Sequence, residues 1–147
     1  MQQLYSPYQQ YQKSKQHEVL TASPVKLVGM LLEGAILFNK KALISLEENH
    51  VVAALEFVDR SSKIIMHLYN SLDFEKGGDI ASKFGSLYSY ILDQSCDFIK
   101  SNRKPETLTT VNGVLATILE GWRKLEAQQN SDAGPASREG LDRATSA

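Results

Sequence analysis

The side chains that most often carry chemistry are few in this chain of 147 residues, which holds three histidines and one cysteine. Glu47-x-x-His50 is its one match to the Glu-x-x-His pair with which a helical bundle holds two metal ions. That site needs a second copy on another helix and inward glutamates on the remaining two; no second copy exists, and His50 falls at a helix junction. His17, near the N-terminus, and His67, on the polar side of a predicted helix, read as solvated side chains. Gly77-Gly78 lacks the following Lys-Ser/Thr and the preceding strand of a phosphate loop. Cys96 shows no basic partner to activate a thiolate. No catalytic residue, metal site or cofactor is expected, and the chain is not expected to be an enzyme.

The composition points the same way. A formal net charge of -1 with nearly equal acids and bases gives no field to draw in a polyanion, so nucleic acid is a poor partner. No apolar run approaches the roughly 18 residues that span a bilayer, and residues 1–18 lack the apolar middle of a secretory signal, so no membrane insertion is expected. An unpaired cysteine suits a reducing compartment, and the expected location is the cytoplasm.

The elements that must position any functional side chain are helices. Strict alternation of apolar and polar residues is not sustained anywhere, whereas apolar residues recur every three or four positions over long stretches. Ser23-Pro24 is a strong start signal, because a serine hydroxyl can accept from a free first-turn amide and proline fits the first helical position. From there Leu27, Met30, Leu31, Gly34, Ala35, Phe38 and Ala42 share a face to about Glu48. Asn49 is a plausible cap for a second helix, with Val51, Leu55, Val58, Ile65, Tyr69 and Leu72 inward. The centre, Leu72-Asp73-Phe74-Glu75-Lys76-Gly77-Gly78-Asp79, reads as a reversal, since paired glycines end helices readily. Ile80, Phe84, Leu87, Ile91 and Phe98 then mark a third helix. Lys104-Pro105-Glu106 starts a fourth, with Val111, Leu115, Ile118, Trp122 and Leu125 inward.

The predicted fold is all-α, an antiparallel up-down-up-down four-helix bundle spanning residues 21–128. Residues 1–20 are rich in Gln and Tyr; they form either a frayed tail or a strap that docks Tyr5, Tyr8 and Tyr11 on the domain. Residues 129–147, almost without apolar side chains, are expected to be a disordered tail.

A bundle needs one apolar stripe per helix, and three helices carry more. Helix two adds Phe57, Ile64 and Leu68 with Ala53; helix three adds Tyr88, Leu92 and Ile99 with Ala81 and Gly85; helix one has Val25, Leu32, Ile36 and Leu43 outside its main stripe. These residues either broaden the interior or form an exposed groove for amphipathic segments of another protein. The groove reading makes Phe57, Ile64, Leu68, Tyr88, Leu92, Ile99, Leu32 and Ile36 the candidate partner-binding side chains, with Tyr5, Tyr8 and Tyr11 covering them when the partner is absent.

Two ordered segments carry a family resemblance. Thr21-Ala22-Ser23-Pro24-Val25-Lys26-Leu27-Val28-Gly29-Met30-Leu31-Leu32-Glu33-Gly34-Ala35-Ile36 resembles the TASPxxLxxMLYDGAI signature of the flagellin-specific export chaperones, the FliS family. Ser71-Leu72-Asp73-Phe74-Glu75-Lys76-Gly77-Gly78-Asp79-Ile80-Ala81, continuing through Leu87-Tyr88-Ser89-Tyr90, resembles that family's SLDxExGGEIAxNLxxLYxY segment. Leu32-Glu33 replaces the usual Tyr-Asp. The resemblance implies a cytoplasmic chaperone that binds the disordered C-terminal segment of flagellin and prevents premature polymerisation. It also implies delivery to the flagellar type III export apparatus and, in some members, binding of a flagellar regulatory protein. The alternative from another class is a non-catalytic homo-oligomeric bundle whose surplus stripes meet in a self-interface.

Overall fold

A computed structural model describes residues 24–132, which form four helices and no strand: α1 Pro24–Glu47, α2 Val51–Asn70, α3 Phe74–Asp97 and α4 Pro105–Asp132. α1 packs on α2 and α4, and α3 closes the ring by packing on the same two helices. With short reversals between consecutive helices, this is the up-down-up-down bundle that the periodicity predicts. The segment bearing Tyr5, Tyr8 and Tyr11 lies outside the described residues, as does the expected tail from residue 133; α4 itself runs past Gln128 to Asp132. No helix among the described residues is long and apolar enough to cross a membrane.

Local chemistry sets the helix ends. Pro24 and Pro105 take the first positions of α1 and α4, as expected from their missing N–H groups. Asn49 does not cap α2; it ends α1. Its φ of 59° is left-handed, its N–H donates to the Leu46 carbonyl at 3.1 Å, and the His50 N–H donates to the Ser45 carbonyl at 2.7 Å. That pair of bonds satisfies carbonyls that the last turn would otherwise leave open, and asparagine tolerates the left-handed backbone better than most residues.

The reversal between α2 and α3 occupies Ser71 to Asp73, ahead of the glycine pair. There the Asp73 carboxylate accepts from the Lys76 N–H at 2.9 Å and starts α3 at Phe74. The glycines fall inside the helix, where Gly78, at φ 53° and ψ −128°, kinks it after its first turn. α3 ends in a π-helical turn, Phe98–Asn102, followed by left-handed Arg103; the Asn102 Oδ1 accepts from the Lys104 N–H at 2.9 Å and leads the chain into α4.

The larger core joins Leu32, Ile65, Ile91, Leu115 and Trp122 from all four helices, and a smaller one at the α1–α2 turn end joins Ala42, Ala54, Val58, Phe98 and Leu108. Among the polar contacts that fix the helices relative to one another, three join α1 to α4 through buried or half-buried side chains. The Trp122 indole N–H donates to the Val25 carbonyl at 2.7 Å, tying the late part of α4 to the start of α1. Asn39 Nδ2 donates to Asn112 Oδ1 at 2.9 Å, and Asn112 Nδ2 donates to the Ile36 carbonyl at 3.2 Å. The inward face of α4 is the expected one. That of α1 is rotated: Val25, Val28, Leu32, Ala35, Asn39 and Ala42 are buried, while Leu27, Met30, Leu31 and Phe38 lie at the margin. On α2 and α3, Val51 and Leu87 are exposed instead of inward.

Trp122→Phe keeps most of the packing and removes the indole donor, so it should cost roughly 1–2 kcal/mol in urea denaturation; an unchanged midpoint would reduce the tryptophan's role to packing. Gly78→Ala meets no neighbouring atom, so its loss of about 1–2 kcal/mol would be backbone strain alone.

Candidate functional site

Three side chains expected on outer stripes are core. Leu32 is 0% exposed, Tyr88 2% and Leu68 3%, and all three belong to the larger cluster. Leu32 turns inward because α1 is apolar around most of its circumference, which leaves the phase to its neighbours α2 and α4. Leu68 follows Ile65 on the face that meets the bundle centre. Tyr88 stacks against Phe84 at 6.1 Å, and burial pushes its phenol well above the usual range. These residues hold the bundle together and offer no surface to a partner.

The remaining five do not form one groove. Ile36 is half-buried, with its carbonyl accepting from Asn112 of α4. Phe57 and Ile64 turn towards α1: Phe57 stacks on Phe38 with ring centroids 6.2 Å apart, and Ile64 lies over Gly34, its Cδ1 3.5 Å from where a Cβ would stand. Leu92 and Ile99 turn to the other flank of α2. The single groove expected from helical wheels is therefore two faces, one on each side of α2.

The α2–α3 face is a true groove. Its apolar half, about 410 Å³, is lined by Ser62 and Met66 of α2, by Leu92, Asp93 and Cys96 of α3, and by Ile99 and Lys100 of the π-helical turn. Met66 is 47% exposed at its rim. At Asp93 the groove continues into a wider half of about 570 Å³, where Ser82, Ser86 and Ser89 supply hydroxyls and Tyr69, Phe74 and Tyr90 supply rings. Gly85 makes that half possible. A Cβ there would stand 2.9 Å from the Phe74 ring, so glycine lets the ring edge come this close to α3, where the ring meets Tyr69 edge-on at 6.1 Å.

An apolar floor that gives way to hydroxyls and rings suits an amphipathic helix, whose apolar face lies down while its polar flank finds partners. Met66, Tyr90 and Phe74 were missed as groove residues from sequence. Each is a large apolar side chain at a register off the main stripe, which is the signal that could have found them. Cys96 and Lys100 both line this groove. No three histidine, cysteine, aspartate or glutamate side chains among the described residues gather as metal ligands.

A family model described as flagellar protein FliS matches residues 7–129, which takes in all of α1, α2 and α3 and most of α4. The chain belongs to the FliS family. Its relatives include the flagellar secretion chaperone FliS of Salmonella typhimurium, 33% identical over 117 residues that cover 78% of this chain and 84% of that one. The flagellar secretion chaperone FliS of Campylobacter jejuni is 30% identical over 115 residues, 78% of this chain and 89% of that one. That of Vibrio cholerae is 28% identical over 126 residues, 84% and 90% of the two chains. The relatives' description as chaperones implies a role in binding.

Core and surface should separate in denaturation. Leu32→Ala should cost roughly 2–5 kcal/mol, as buried leucines do, while Met66→Ser on the groove rim should stay within about 1 kcal/mol of the wild type. Equal losses would move Met66 into the core.

Proposed function

We propose that this chain is a cytoplasmic secretion chaperone that holds the C-terminal segment of flagellin as a helix in the α2–α3 groove. Holding it there would keep the client from polymerising before it reaches the flagellar type III export apparatus. The carrying observation is the groove itself, whose apolar floor is formed by exposed Met66 and half-buried Leu92 and Ile99. The relatives' description as flagellar secretion chaperones supports the same reading.

The physical logic is competition. A flagellin segment that would bury its apolar face against other flagellins buries it here instead. Ordering a disordered segment costs conformational entropy, so a long groove is needed to gain enough contact and still allow release. The N-terminal segment is proposed to cover part of this surface with Tyr5, Tyr8 and Tyr11 when flagellin is absent.

Calorimetry of the full chain against a flagellin C-terminal peptide, with circular dichroism of the same mixture, should give one-to-one binding and a gain of helix. Absent binding, together with a dimer in sedimentation, would favour the homo-oligomeric bundle instead. Leu92→Glu with Ile99→Glu should weaken the complex about a hundredfold, because two carboxylates would be placed on the apolar floor; unchanged affinity would move the client off this groove. Deleting residues 1–18 should raise affinity and speed association, and no change in either would remove the strap from the mechanism.

A further inference from the structure

The flank of α2 opposite the groove carries a different chemistry. Phe38 of α1 and Phe57 of α2 stack at 6.2 Å across the helix interface, both half-buried. Lys41 Nζ lies 5.8 Å and 5.9 Å from the two ring centroids, and the Arg60 guanidinium carbon lies 6.0 Å from each. Two cations thus share one aromatic pair. Among the described residues neither has a carboxylate partner. Asp59 is committed to Lys63 at 2.9 Å, and Glu56, one turn before Arg60, makes no ion pair with it. Leu37, 51% exposed, and Ile44, 54% exposed, stand one turn either side of Lys41 on the same edge of α1. Aromatic rings, open aliphatic side chains and unneutralised cations therefore occupy one surface.

We infer that this α1–α2 face is a second docking surface, and that it takes an acidic amphipathic helix of another protein. The charges select that occupant. A helix whose apolar stripe lies over Leu37, Phe38 and Ile44 brings its flanking positions to Lys41 and Arg60, where glutamates or aspartates complete the ion pairs that the chain leaves open. The chain's own remaining segments do not fit. Residues 1–23 carry Lys13 and Lys15 against the single acid Glu18, and residues 133–147 carry two acids and two arginines. A second copy docking through the same face would set cations against cations. Because the face lies across α2 from the groove, one chain can hold a client and this acidic partner together. The inference goes beyond the flagellin reading and does not depend on it.

The test is fluorescence anisotropy of the full-length chain with a labelled synthetic helix carrying leucines at i, i+4 and i+7 flanked by glutamates. The control is the same helix with lysines in place of the glutamates. The acidic helix should bind, weaken as salt is raised, and lose about tenfold in affinity to Lys41→Glu with Arg60→Glu, as two modest ion pairs acting together predict. Leu37→Ser with Ile44→Ser, both at exposed positions, should weaken the same helix with the cations intact. Flagellin-peptide affinity should be unchanged in the charge-reversal variant. Equal binding of the acidic and basic helices, or indifference to charge reversal, would overturn the proposal. A wild-type dimer that Lys41→Glu with Arg60→Glu disperses in sedimentation would overturn it in favour of self-association.

Discussion

The close approach of α1 and α2 constrains the rest of this molecule. Ala35, Ala42, Ala54 and Ser61 are all buried between or beside these helices, and the Ser61 hydroxyl donates to the Ala35 carbonyl at 2.9 Å. Small side chains let two backbones come near enough for a side chain on one to reach the main chain of the other. With the seam filled by small residues, the large ones at neighbouring registers are driven outward. Phe38 and Phe57 then stack over the outer edge of the seam, and Ile64 folds over Gly34. On its far side α2 meets α3 less intimately, and that looser contact is where the groove opens.

This division resolves a conflict that any binding protein faces. Apolar surface is needed to hold a client, yet a broad apolar patch drives association with everything else. Here Ser62, Asp93 and Lys100 interrupt the apolar lining, and hydroxyls take over beyond Asp93. No stretch of the groove is long, flat and wholly apolar. The α1–α2 face is interrupted in the same way by Lys41 and Arg60, which shield its rings from unselective contact.

Periodicity made the architecture legible, and the phase of individual helices was less so. α4 has one clear stripe, and Val111, Leu115, Ile118 and Trp122 were placed correctly because polar residues fill the rest of its circumference. α1 is apolar nearly all the way round, so the pattern admits several orientations, and the neighbours choose the one that buries Leu32. Leu68 and Tyr88 were misplaced for a related reason: each lies close to the border between two stripes, where a rotation of a few tens of degrees turns surface into core. The turns were legible where one residue decides, as at Pro24 and Pro105. They were not where two signals competed. Asn49 can cap the next helix or end the previous one, and the hydrogen bonds of Ser45 and Leu46 decide for ending. Gly77-Gly78 suggested the reversal, but Asp73 offers a side-chain cap upstream, and the helix begins there.

That early start has a consequence for the groove. Had α3 begun after the glycines, Phe74 would lie in a connecting loop. Because Asp73 caps a first turn and Gly78 then bends the chain, Phe74 is carried back over Gly85 and becomes a wall of the groove's wider half. Its ring touches α3 and the Tyr69 ring yet stays 47% exposed. Two glycines thus serve the placement of one aromatic side chain. Gly78 supplies a backbone angle that a side chain resists, and Gly85 supplies the space that a Cβ would fill.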